Sequence, residues 1–188
     1  MLFEALENFE WYNEPENVRF EADSMVIYAK SGTEFWQSIH RNFKKDNGHF
    51  FFSRQSGDFI LTLKWSFDKM TRLSQCGLMV RADERNWLKT SIMNEGETEE
   101  DVLSSAMCKD GHMDWTGFSL NERIHEIWFR IQRVDDDYVL FYSIDGSRFI
   151  RLRAFYMQSI DDIKVGAYVA SPNESDFFAE LSSIKFGV

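Results

Sequence analysis

The 188-residue chain is poor in the residues that divide, staple or anchor a protein. Proline occurs only at Pro15 and Pro172, close to the two ends. No Pro- or Ser-rich linker interrupts the stretch between them, so residues 1–188 read as a single domain of a size one core can serve. Cysteine also occurs only twice, at Cys76 and Cys108. Two thiols do not make a disulfide framework, and this usage fits a reducing compartment. Both read as small apolar strand residues. No Cys-x-x-Cys or His-x-x-x-His pair marks a structural zinc. No Gly-x-Ser-x-Gly elbow occurs, and neither cysteine has a histidine beside it, so no catalytic nucleophile is expected.

Long apolar runs are missing too. Nothing approaches the ~20 residues of a membrane span. The opening "MLFEALENFEWY" has no basic start, and acids break it before it reaches signal-peptide length. A cytoplasmic location is the expectation. Positive charge is in deficit, with 21 Lys and Arg against 31 Asp and Glu, a net charge of −10. Such a chain is repelled by nucleic-acid backbones and anionic membranes, and its basic residues are scattered, so neither is an expected partner.

Aromatic residues, in contrast, abound. There are 18 Phe, 6 Trp and 6 Tyr, a composition that favours strands. In "DFILTLKWSF", Phe59, Leu61, Leu63, Trp65 and Phe67 share one face, while Ile60, Thr62, Lys64 and Ser66 share the other. Such alternation marks a strand with one buried side. "VRFEADSMVIYAK" reads as two strands around a turn near Asp23 and Ser24, and "HFFFS" as a short strand after "DNG".

The segment "EIWFRIQRVDDDYVLFYSIDGSRFIRL" predicts a three-stranded meander. Its first turn falls at Asp135–Asp137. Its second falls at Asp145-Gly146, the pair suited to a two-residue hairpin turn with both central residues at positive φ. "IKVGAYVAS" and "FFAELSSIKF" add two strands. Val102 to Met107 fits a helix and a strand equally. "TEFWQSIHRNF" predicts a turn of helix capped by Thr33, and "EGETEED" an exposed acidic loop. Many short strands with regular turns indicate an all-β antiparallel sandwich or barrel.

The stretches "FEWYNEP", "FWQSIHRNFKKDNGHFFF", "CGLMVRADERNWLKTSI", "DWTGF" and "VLFYSIDGSRFIRLR", in this order, resemble a bacterial and fungal family of unknown function labelled "regulation of enolase protein". The resemblance spans roughly residues 9 to 186, and "GLMVRAD" followed by "NW-K" is its most specific piece. It implies a concanavalin A-like jelly roll, two antiparallel sheets packed face to face. Lectins and glucanases share that fold, which brings in sugar binding and glycoside chemistry as functions the fold can host. Family members commonly carry Gly, Ile and Glu after the Trp-x-Lys. Here Ser91, Ile92 and Met93 follow, and Glu95 is the nearest acid.

Glycoside hydrolysis needs two carboxylates, ~5 Å or ~6.5–9.5 Å apart. The one-strand Glu-x-Asp-x-x-Glu arrangement of glucanases with this fold is incomplete. Glu21-Ala22-Asp23 is followed by Val26, and Glu99-Glu100-Asp101 by Ser104. In "KDGHMDW", Asp110, His112 and Asp114 alternate as three mixed ligands for a divalent ion would. Asp110-Gly111 is also a turn signal, and the turn is preferred. No metal or cofactor is expected.

Tryptophan beside charge recurs on the strands. Trp87 and Lys89 share parity, as do Met79 and Arg81, and Trp128 and Arg130 repeat the combination. On one concave face these would suit a sugar, whose apolar side stacks on indole rings while its hydroxyls bond Arg, Lys and carboxylates. Trp87 and Trp128 are the expected platforms, and Arg81, Lys89 and Arg130 the donors. Trp36, Arg41, His49, Glu95 and Trp115 are the expected rim. The leading expectation is a non-catalytic carbohydrate- or small-ligand-binding protein. A protein-interaction module regulating a metabolic enzyme and a glycoside-active enzyme are the alternatives.

Overall fold

The computed structural model describes residues 6–37, 43–96, 100–158, 162–173 and 177–187. The strands in chain order begin with β1 (Phe9–Tyr12), β2 (Val18–Phe20), β3 (Met25–Ala29), β4 (Phe35–Gln37) and β5 (Lys44–Asp46). Next come β6 (His49–Gln55), β7 (Phe59–Ser66), β8 (Gln75–Asp83), β9 (Asn86–Met93), β10 (Val102–Lys109) and β11 (His112–Ser119). The last five are β12 (Glu126–Val134), β13 (Asp137–Ser143), β14 (Ile150–Tyr156), β15 (Ile163–Ala170) and β16 (Phe177–Gly187). No helix occurs among the described residues. None is therefore long and apolar enough to cross a membrane.

The strands form two seven-stranded antiparallel sheets. The first runs β1-β6-β15-β8-β9-β10-β11, and the second β14-β13-β12-β7-β16-β3-β2. They pack face to face, as the sequence pattern and the family resemblance both imply. β7 alternates buried and half-buried residues along its whole length, as does β12 over most of its own. Leu61, Leu63 and Trp65 of β7 meet Ile127, Phe129 and Ile131 of β12 in the core between the sheets. Leu78, Val80, Leu88 and Val165 answer them from the first sheet. Burial of these side chains is the main driving force for the sandwich, at roughly 1.5–3 kcal/mol for each large apolar group.

One contact ties the two layers directly. The Trp65 indole crosses the core and donates its Nε1–H to the Gly77 carbonyl at 2.9 Å. Gly77 also lies tight against the neighbouring strand. A Cβ there would sit 1.8 Å from the Thr90 carbonyl oxygen. That is an impossible contact, and the atom is backbone that cannot step aside.

A third, two-stranded sheet, β4-β5, stands apart from the main layers. It replaces part of the helical turn expected after Thr33, for Phe35–Gln37 is strand and residues 38–42 lie outside those described. The reason is long-range packing. Phe35 is fully buried beneath the hairpin, and a helix would turn it elsewhere. The ambiguous 102–107 segment is strand, held between β9 and β11.

The Asp145-Gly146 turn is longer than expected. Only Gly146 has positive φ, and the connection runs from Ser143 to Ile150. Asp145 organises it by accepting the N–H groups of Ser147 and Arg148, both at 2.8 Å. Those bonds hold its carboxyl well below the usual carboxylate range. Asp101, at the end of the expected acidic loop, is buried rather than exposed and accepts the Ile124 N–H at 3.0 Å. Cys76 and Cys108 are free and buried.

The close approach at Gly77 makes a sharp prediction. Gly77→Ala should cost about 2 kcal/mol or more, because overpacking against backbone has no cheap relaxation. Urea unfolding would measure it. A variant within about 0.5 kcal/mol of the parent would contradict the packing described.

Candidate functional site

Strands β8 and β9 carry three of the expected site residues. Their register sets Arg81 opposite Trp87 and Met79 opposite Lys89, so all four share a face. β15 places Tyr168 on that face, and β10 adds Ala106 and Cys108. The face is the outer side of the first sheet, but it is not open. The β4-β5 hairpin lies across it. Phe35 enters a second core made with Phe50, Met79, Trp87 and Tyr168. Gly48 makes room for the Phe35 ring, since a Cβ there would meet it at 2.5 Å. Trp87 is 0% exposed and donates its indole N–H to the Glu84 carbonyl at 3.2 Å. It is core, and presents no surface on which a ring could stack.

Charge pins the hairpin at both ends. Arg81, 2% exposed, forks onto Asp46 of β5 at 2.6 and 2.8 Å. Tyr12 donates its hydroxyl to the same carboxylate at 2.6 Å, and its ring lies 4.5 Å beneath the guanidinium. Burial first, and then the Asp46 bond, push the Tyr12 phenol up, so it remains a donor.

Just before β4, the buried Glu34 carboxylate receives the Lys89 ammonium. It also accepts the Phe35 N–H at 2.8 Å and the Gln75 amide at 2.7 Å. Gln75 Oε1 in turn accepts Lys89 at 3.2 Å and the Tyr168 hydroxyl at 3.0 Å. Burial and the Glu34 charge push the Tyr168 phenol well up, which keeps it protonated and donating. A desolvated pair of this kind is held by completeness of hydrogen bonding more than by attraction alone.

Beyond this network a cleft of about 580 Å³ opens. Trp36 of β4 and Trp115 of β11 line it, with Glu34 and Gln75 also in its wall. Met93 and Glu95 border it, together with Phe43, Lys45 and Asn173. Three expected rim residues, Trp36, Glu95 and Trp115, are thus brought together, and Lys89 lies directly behind Glu34. Met93, which stands where the resemblance implies a glutamate, and Glu95, the nearest acid, both border the cleft.

The other expected residues separate. Trp128 and Arg130 belong to β12 in the second sheet, so they do not share a face with Trp87 and Lys89. Period-two parity tells which side of a strand a residue takes, but not which sheet the strand joins. On that second sheet Trp128 packs under the Lys64 ammonium at 4.6 Å and against the turn at Gly146. Arg130 lies 3.6 Å from the Phe149 ring centre and donates to Thr62 at 2.9 Å. Arg41 lies outside the described residues. His49 is buried away from the cleft. Its Nδ1–H faces the Asn13 carbonyl at 2.6 Å, and its Nε2 accepts the Lys30 N–H at 3.1 Å.

Asp110, His112 and Asp114 do not converge. The first two border a charged hollow of about 530 Å³, while Asp114 pairs with Arg153 at 2.7 Å. Among the described residues no three His, Cys, Asp or Glu side chains group as metal ligands.

Glu34, Gln75, Tyr168 and Asp46 were not foreseen as site residues. Their partners are far away in sequence: Glu34 and Lys89 are 55 residues apart. The one local signal was an acid directly before the Phe-Trp pair of "TEFWQ".

Two packed antiparallel sheets, with the cleft on the outer side of one, define a concanavalin A-like sandwich. A legume lectin-like domain from Entamoeba histolytica overlays with a TM-score of 0.60 at 10% identity, covering 96% of this chain and 89% of that one. The GH43 protein BlXynB from Bacillus licheniformis overlays at 0.73 and 12% identity, over 95% of this chain but 36% of that one. A functionally unknown protein from Saccharomyces cerevisiae overlays at 0.89 and 23% identity, over 97% of each chain.

Residues 11–187 match the family described as "Protein of unknown function (DUF1349)", and the chain belongs to that family. "Regulation of enolase protein 1" of Saccharomyces cerevisiae is 26% identical over 122 residues. That match spans 64% of this chain and 60% of the relative.

Two predictions follow from the buried polar groups. Lys89→Met strands the Glu34 carboxylate and should cost about 3–5 kcal/mol, most of it recovered in Glu34→Gln/Lys89→Met. Denaturant melts of the three proteins would check this, and equal losses in single and double variants would contradict it. His49, held below its ordinary 6.5 chiefly by burial, stabilises the fold as a neutral ring. Its contribution is present above pH ~6.5 and is lost as pH falls from there through its lowered pKa. The fall in urea midpoint between pH ~7.5 and ~5 should therefore be shallower in His49→Gln.

Proposed function

We propose that the chain is a non-catalytic binding protein for a saccharide or similar small polar ligand, held in the Trp36–Trp115 cleft. The observation that carries this reading is the pairing of two half-buried indoles with a buried polar wall in one cleft. Rings supply a flat apolar surface for a sugar's C–H face, and fixed polar groups orient its hydroxyls. Lys89 acts here through Glu34 and Gln75, orienting both rather than reaching into the cleft. Likeness to a lectin-like domain and to a GH43 protein lends support at the level of fold only.

A regulatory module acting on a metabolic enzyme is the second reading, and the name of the yeast relative favours it. Glycoside cleavage has less support. Glu34 is engaged by Lys89, Gln75 and the Phe35 N–H, an arrangement that holds a carboxylate rather than frees it for proton transfer.

A thermal-shift screen against a saccharide panel tests the proposal, because a bound ligand raises stability by mass action. A stabilising saccharide is expected, and Trp36→Ala or Trp115→Ala should each weaken it about tenfold. Trp128→Ala, on the other sheet, should leave its affinity unchanged. If no saccharide stabilises the chain and enolase does, the regulatory reading replaces this one.

A further inference from the structure

We infer that the cleft selects uncharged sugars, read through neighbouring hydroxyl groups, and excludes their acidic and phosphorylated counterparts. This rests on the saccharide reading above and narrows it to a ligand class.

The charges around the cleft cancel. Glu34 and Glu95 are matched by Lys45 and by Lys89, which lies behind Glu34. Both cations already hold acceptors within the chain. The Lys89 ammonium is bound to Glu34 and Gln75. The Lys45 ammonium donates to the Gly32 carbonyl at 2.6 Å. No arginine is among the described residues lining the cleft, so none of them offers the fork that usually holds a carboxylate or phosphate. An acidic ligand would instead face the Glu34 and Glu95 carboxylates within a chain of net charge −10.

A neutral diol meets the opposite situation. Glu34 Oε2 accepts one bond, from Gln75, and keeps a second lone pair. Gln75 Nε2 spends one proton on that bond and keeps another. An acceptor and a donor therefore lie side by side in the cleft wall. Two adjacent hydroxyls, one donating and one accepting, satisfy both. A carboxylate or phosphate oxygen only accepts, and would leave the Glu34 lone pair facing negative charge. Desolvated polar groups left unmatched in this way give strong discrimination.

Calorimetric titration of the full chain tests this with matched arms: neutral oligosaccharides of xylose or glucose, the same oligosaccharides carrying glucuronic acid, and sugar phosphates. The expected result is at least tenfold tighter binding in the neutral arm, unchanged between about 50 and 500 mM salt. Loss of a hydroxyl at one position of the neutral ligand should lower its affinity by a similar factor. If acidic or phosphorylated sugars bind as tightly or more tightly, with affinity falling as salt rises, the selectivity is overturned while saccharide binding stands. If none of the arms binds, the saccharide reading itself fails and takes this inference with it.

Discussion

The small β4-β5 hairpin depends on two carboxylate–cation contacts, one buried and one half-buried, and the site depends on the hairpin. Asp46 holds it to Arg81, and Glu34, just before β4, holds it to Lys89. Only a few backbone pairings join its two strands, too little for stability on their own. Seated on the outer face of the first sheet, it buries Phe35 against Trp87, Met79 and Tyr168. The same placement leaves Trp36 on the cleft, across from Trp115. The ion pairs are thus less a source of net stability than a means of fixing one position for the hairpin, at a desolvation cost met by the hydrogen bonds of Gln75, Tyr12 and Tyr168.

This arrangement explains why β8 and β9 are buried on both sides while β7 and β12 are not. In β7 and β12 the sequence alternates cleanly, and the outer side is only half-buried. In β8 and β9 almost every residue is buried, because one side meets the sandwich core and the other meets the hairpin. Polar residues persist on that second side since each has a specific partner. The six tryptophans divide accordingly. Trp65 and Trp87 are core, and Trp11 packs on Phe51. Trp128 supports a turn on the far sheet, while Trp36 and Trp115 face the cleft.

The sandwich was legible in the sequence because burial between two layers writes itself as period-two alternation within single strands. The meander of β12, β13 and β14 needed little more than that and its turn signals. The shared face of Arg81, Trp87 and Lys89 was legible from parity for the same reason. The site was legible only in part. That Trp87 is covered, and that Trp128 lies on another sheet, depends on strand order and on a hairpin from elsewhere in the chain. Neither leaves a local mark. The Asp145 turn shows the same limit on a smaller scale, where side-chain capping overrode the hairpin preference of Asp-Gly.

The six indole N–H groups offer a direct test of the central claim, that the hairpin makes the ligand site on the first sheet. Their resonances can be followed by NMR while a neutral oligosaccharide is titrated into the full chain. The account predicts that Trp36 and Trp115 shift together in one saturable transition while Trp65 and Trp128 stay in place. A shift confined to Trp128, with Trp36 and Trp115 unmoved, would contradict it.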